Sequence, residues 1–230
     1  MDQKHTNNIQ EYFKKNNYVV IKGFLTPDIA GLMYRYCTNK VINMDFKTTF
    51  DQEAYRHEWD GEFGDPQISG SYNCYGDVMM DTLLEASTSS MNAYTGKSLV
   101  PTYSYWRYYQ KGDVLDRHRD RKSCEISTTL CLGYNVSNVD TKKYPDYNWP
   151  MYIEDVSGET QGLPVHMEPG DMVIYRGTIL DHWRDAFIGS NHAQVFLHYN
   201  DSEGPYNIQF DGRPCLGIPS KFSNRRSNDV

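Results

Sequence analysis

The stretch GDVLDRHRDRKSCEISTTLCLGY, residues 112–134, sets His118 and Asp120 two positions apart where a charged turn meets a β-rich run. On an extended strand, residues i and i+2 point to the same side, so this pair can address one ion while Arg119 faces away. Arg119 and Arg121 alternate away from the pair and are expected to be solvated charges. Spacing of this kind is a weak signal alone. A rival pair, His166 and Glu168 in HMEPGD, has the same spacing but runs into a Pro-Gly reversal, which marks a strand end. A third ligand is offered by GDMVIYRGTILDHWRDAF, where His182 follows a β-like run 62 residues beyond Asp120. Two imidazoles and one carboxylate leave three positions of an octahedral ion open, whereas a structural zinc site closes its shell with Cys or a fourth ligand.

Working outward, the run after residue 99 is built from short strands. TYSYWRYYQ, EISTTLCLGYNV, MYIEDV, PVHME, DMVIYRG and AQVFLHYN are rich in aromatic and β-branched residues. Between them lie QKGD, YPDYNWP, VSGETQG, EPGD and FIGSN, each with the Gly, Pro or Asn that lets a backbone reverse. Ahead of them, YVVIKGFL reads as a strand leading into a helix that starts with Thr26 as N-cap and Pro27 at the first helical position. A second helix is expected from about Gly76 to Tyr94, where Met79, Met80, Leu83, Leu84 and Met91 recur at helical spacing before Gly96. Helices first and many strands afterwards point to an α+β fold whose core is an antiparallel double sheet or jelly roll.

The 230 residues suit one domain, divided as a strand and helix flank (1–98), a core (99–215) and a polar tail (216–230). With 23 Lys and Arg against 30 Asp and Glu, the net charge of −7 argues against a broad phosphate-binding face, so nucleic acid is not an expected partner. No apolar run reaches a membrane-spanning length, and the polar start lacks a signal-peptide core, so a cytoplasmic location is expected. The five Cys show no C-x-x-C pair, which favours buried reduced thiols over disulfides. There is no G-x-S-x-G, G-x-x-x-x-G-K or G-x-G-x-x-G, so hydrolase-elbow and phosphate-loop chemistry are not indicated.

YQKGDVLDRHRD, PGDMVIYRG, DHWRDAF and QVFLHY together resemble the Fe(II)/2-oxoglutarate-dependent dioxygenases, in particular their prolyl-4-hydroxylase-like branch, over residues 100 to 200. The resemblance implies a double-stranded β-helix, jelly-roll and cupin-like, with flanking N-terminal helices. It implies that His118, Asp120 and His182 hold iron and are the catalytic set, with 2-oxoglutarate and O2 as co-substrates. It places Tyr109 at the co-substrate pocket and Tyr134 where related hydroxylases help hold 2-oxoglutarate. Asp120 also speaks against halogenation, because halogenating relatives put a small residue there. One departure stands out. The branch places an Arg or Lys nine to eleven residues after the second His to pair with the distal carboxylate of 2-oxoglutarate, and here Asn191, His192 and Ala193 fill that window. A carboxylate in a dry pocket needs a cation or several donors. Arg184, Arg176 and His192 are the available substitutes, and Arg184 is preferred because HWR ties it to the ligand His.

The implied activity is hydroxylation of an unactivated C–H bond in a peptidyl proline or in a small metabolite or amino acid. Two other classes stay open: a non-catalytic cupin-like module that binds a metal or ligand, and a metal-dependent hydrolase. The segment at residues 50–65 and the loop TKKYPDYNWP are candidate lids or ordinary surface. The remaining histidines, His198 among them, are expected to be hydrogen-bonded strand or surface residues. Arg107 is expected to stack among the tyrosines of its strand.

Overall fold

Alternation along the aromatic run decides which side of the protein each residue serves. In the computed structural model, which describes residues 3–50, 52–154 and 161–224, this run is strand β4 (Leu99–Gln110). Trp106 and Tyr108 turn to one face and join the main apolar core, while Tyr103, Tyr105 and Arg107 line a cavity on the other. β4 pairs antiparallel with β11 (Asn191–Asp201) on one side and β3 (Tyr72–Tyr75) on the other. Adding β1 (Tyr18–Ile21), β2 (Glu62–Phe63), β6 (Ile126–Asn135) and β9 (Met172–Tyr175) completes a seven-stranded sheet of order β1-β9-β6-β11-β4-β3-β2. A four-stranded sheet of order β5-β10-β7-β8 is made by β5 (Leu115–His118), β7 (Met151–Ile153), β8 (Leu163–Val165) and β10 (His182–Arg184). Every pairing is antiparallel, which is the expected jelly roll.

Among the described residues, three α-helices cover the outer face of the large sheet. Helix α2 (Pro27–Thr49) starts at Thr26, whose hydroxyl accepts from the Ile29 amide, with Pro27 at the first position as expected. Helix α3 (Val78–Thr95) starts two residues later than its periodicity suggested. Gly76 stands at φ +66°, outside helical space, and Asp77 caps the helix by accepting from the Met79 and Met80 amides. Gly96, at φ +70°, ends it in the left-handed conformation. Helix α1 (Gln3–Asn16) was not anticipated, because its only buried apolar residues are Ile9 and Phe13, one turn apart. Those two join Met33, Met80 and Leu84 of α2 and α3 and Leu130 and Val195 of the sheet in one core. Burying such side chains is worth about 1.5–3 kcal/mol each and fixes the helices to one side, leaving the inner face of the sheet for the site.

The segment at residues 50–65 contains a 3-10 turn at Glu53–Tyr55 and β2, and it ends at Asp65 on the cavity wall. Most of the VSGETQG turn and residues 225–230 of the tail lie outside the described residues; before them, Ser220–Phe222 forms a 3-10 turn with Phe222 against Trp59. All five Cys are free thiols, four of them buried. Among the described residues no helix is long and apolar enough to cross a membrane.

Candidate metal centre and its cavity

β5 and β10 are neighbours, and their register sets His118 directly opposite His182. Asp120 lies just past the end of β5, with its amide donating to the Gly177 carbonyl at 2.9 Å. Asp120 Oδ1 then stands 3.4 Å from His182 Nε2 and 3.8 Å from His118 Nε2. One donor atom from each of the three residues lies within 4.8 Å of the others. Both imidazoles are oriented from behind: His118 Nδ1 meets the Asp116 carbonyl at 2.7 Å and His182 Nδ1 the Leu180 carbonyl at 3.1 Å. A carbonyl can only accept, so each Nδ1 carries the proton and, in the neutral ring, each Nε2 offers its lone pair toward Asp120. This donor set fits a divalent ion with positions to spare.

The electrostatics agree. Burial favours a neutral Asp120, but His182, His198 and the Ser127 hydroxyl outweigh it and hold the carboxyl far below the ordinary range. At His182 burial works to lower the pKa, and Asp120 beside it overcomes this and raises it. At His118 burial and the neighbouring His182 lower it. The proton that the trio takes up first therefore belongs to His182, facing Asp120, and a cation would take that proton's place.

The trio opens into a cavity of about 500 Å³ between the two sheets. Its deep wall carries Thr129, Met151, Tyr175 and Arg184. Arg184 is 1% exposed and stacks on the Trp149 indole, 4.5 Å from its centre. Its Nη1 donates to the Trp149 carbonyl at 2.6 Å, while Nη2 is buried with no partner. Among the described residues no carboxylate pairs with it, and burial pushes its pKa down to about 10. A buried guanidinium without a counter-charge is costly, and what would relieve it is an anion. On β11, both amide atoms of Gln194 and Nδ1 of His192 are likewise buried without partners. The free Nη2 of Arg184 is a charged donor that fits the carboxylate end of a small keto acid.

The other residues expected around a co-substrate divide. Tyr109 is fully buried, its hydroxyl accepting from Arg107 and its ring packed edge-on against Trp149. His192 is buried between Tyr134, Trp149 and Phe187, and burial lowers its pKa, keeping it neutral. None of Tyr109, His192, Tyr134 and Arg176 lines the cavity itself. A register shift between Ala193 and Gln194 sets Tyr134 opposite His192, on whose ring it stacks, and Glu168 takes its hydroxyl at 2.5 Å. Tyr175 points inward, so Arg176 turns outward and acts on Asp201.

Several charged and titratable side chains around the cavity take partners distant in sequence. Arg119 is exposed, as expected, although ion-paired to Asp181 and Glu154. Arg121 is not a solvated charge: it lines the cavity, pairs with Asp211 at 2.6 Å and sits 4.5 Å over the Tyr103 ring. Arg107 does stack on Tyr105 and Tyr109, and it also forms a buried ion pair with Asp65 at the mouth. His198 is a hydrogen-bonded strand residue as expected, yet it lines the cavity, and burial lowers its pKa to about 4. Stepping back by twos from His198 gives Phe196, Gln194 and His192, so the alternation rule carried the signal for this inward row.

No protein-family model and no curated protein matches the chain. Solved structures do. A prolyl-4-hydroxylase from Pseudomonas putida aligns with a TM-score of 0.59 at 14% identity, over 85% of this chain and 98% of that one. EctD from S. alaskensis, solved with 2-oxoglutarate and 5-hydroxyectoine, aligns with a TM-score of 0.62 at 13% identity, over 95% and 87%. The epimerase SnoN, solved with Fe3+, alpha-ketoglutarate and nogalamycin RO, aligns with a TM-score of 0.60 at 11% identity, over 95% and 94%. The chain thus has the jelly-roll fold shared by these 2-oxoglutarate-dependent enzymes.

Proposed function

We propose that this protein is an Fe(II)- and 2-oxoglutarate-dependent oxygenase that hydroxylates an unactivated C–H bond. The observation that carries the reading is the joint placement, in one cavity, of a His118–Asp120–His182 donor trio and a buried Arg184 that lacks an anion. When bound, iron with 2-oxoglutarate and O2 supplies oxidative decarboxylation to succinate and CO2 coupled to oxidation of the target bond. The chain's own share is geometry and dryness. His118, Asp120 and His182 hold the ion on the edge of the small sheet. Arg184 engages the distal carboxylate of the keto acid through its free Nη2. Met151 and Tyr175 keep water from the deep end, and the substrate, a peptidyl proline or a small metabolite or amino acid, enters past Asp65, Gln67 and Tyr105.

The test is anaerobic addition of Fe(II) and then 2-oxoglutarate to the purified protein, with His118→Ala as control. A visible metal-to-keto-acid charge-transfer band in the wild type alone supports the reading. A protein that binds metal but stays colourless is a binding module or a metal-dependent hydrolase.

A further inference from the structure

Asp120 divides its two oxygens between different neighbours. Oδ1 faces the Nε2 atoms of His118 and His182, whereas Oδ2 receives the Ser127 hydroxyl at 2.6 Å. Ser127 lies on β6, in the other sheet. Its Oγ has one proton and three polar neighbours: Asp120 Oδ2, His198 Nδ1 at 3.0 Å and the Cys124 carbonyl at 3.2 Å. The carboxylate is the closest and the only charged acceptor, so it takes the proton. His198 can then only donate through Nδ1–H to Ser127 Oγ, which selects its tautomer.

The relay is clamped on both flanks. The His198 ring stacks on Tyr103 with centroids 4.5 Å apart, and Tyr103 is itself tied to Cys124 Sγ at 3.0 Å. On the other side Gly177 presents bare backbone, and a methyl group there would collide with Asp120 Oδ2 and Ser127 Oγ. Asp120 Oδ2 is thus held between the Ser127 hydroxyl and the bare backbone of Gly177, while Oδ1 faces the imidazoles.

Resting on the metal reading above, we infer that His198 and Ser127 are positioning residues that lock Asp120 as a one-oxygen ligand and so keep three coordination positions open. A carboxylate free to chelate with both oxygens would occupy one of the positions that co-substrate and O2 require.

The experiment uses the full chain and Co(II), with affinity from calorimetric titration and geometry from the d–d absorption of the bound ion. Ser127→Ala removes one buried oxygen. His198→Phe keeps the stack on Tyr103 but removes the donor, and His198→Asn restores a donor. Loss of outer-shell partners typically lowers metal affinity about 10- to 100-fold, and that is the expected effect of Ser127→Ala and of His198→Phe. Both should also shift the d–d band as the freed Oδ2 joins the ion. His198→Asn should return affinity and band toward wild type, and the double variant should be no weaker than the weaker single, because both break one relay. Wild-type affinity and spectrum in Ser127→Ala, or multiplicative losses in the double variant, overturns the relay alone. Failure of the wild type to take up Co(II) overturns the metal reading and the relay with it.

Discussion

The Arg184 guanidinium lies over the Trp149 indole and donates from one of its two terminal nitrogens to that residue's own carbonyl. Trp149 is therefore both the shelf that orients Arg184 and a built-in reporter of what arrives at its free nitrogen. With Co(II) bound, 2-oxoglutarate should perturb Trp149 emission. Arg184→Met should weaken its binding by about 2–4 kcal/mol, roughly 30- to 1000-fold in Kd, while leaving Co(II) affinity unchanged. In the apo protein the same substitution removes an uncompensated buried charge, so its melting temperature should stay level or rise. Unchanged 2-oxoglutarate affinity would reassign the carboxylate to Gln194 and His192.

Gly177 is needed for contact, not for backbone freedom, since its φ lies outside the left-handed region. Gly177→Ala should displace the Asp120 carboxylate and cost Co(II) affinity about tenfold or more. Calorimetric titration checks this, with circular dichroism to confirm that the fold persists.

The Asp65–Arg107 pair at the cavity mouth carries an acid-sensitive share of stability. Burial favours the neutral acid, but Arg107, Tyr105 and the Ile68 amide outweigh it and lower the Asp65 pKa below its unfolded value of about 3.9. A depressed carboxyl stabilises fully above the unfolded value and loses that contribution as pH falls through the folded one. Asp65→Asn leaves Arg107 buried without its partner and should cost about 3–5 kcal/mol at pH 7. The gap from wild type should narrow as pH drops below about 4. Chemical denaturation at pH 7 and pH 3 measures both.

Asp81 on α3 fastens three parts of the chain. One oxygen accepts from the Ser104 amide and hydroxyl, and the other from the Gly217 amide and from Arg213 at 2.9 Å. Both charged side chains are essentially inaccessible. Asp81→Ala should destabilise the protein by about 3–5 kcal/mol without altering Co(II) affinity, as measured by urea unfolding and titration.

The order of helices before strands and the placing of His118 beside Asp120 were legible in the sequence because they rest on local rules. Strand alternation pairs His118 with Asp120, Thr26–Pro27 and Gly96 punctuate helices, and aromatic runs bounded by turns make strands. What stayed hidden depends on contacts between distant segments. Arg121 looked solvated because its partner Asp211 lies 90 residues away. The one-residue register shift inside β6 that sets Tyr134 against the His192 ring leaves no signature in composition. Helix α1 hides because two apolar residues suffice once α3 and the sheet supply the rest of the core. The departure at Asn191 to Ala193 was visible, and its physical counterpart is the set of buried, partnerless polar atoms of His192 and Gln194 on β11, with His192 in the field of Arg184.

The cross-strand register of His118 and His182 would give a bound ion a mechanical role. β5 meets β10 through two residue pairs separated by an irregularity, a short seam between segments 64 residues apart in the chain. An ion gripped by both imidazoles would act there as a removable rivet, closing a long loop much as a crosslink does. Metal loading would then toughen the small sheet selectively: amide exchange along β5, β10 and β7 should slow when Co(II) binds, while β4 and β11, already zipped along most of their length, should hardly respond.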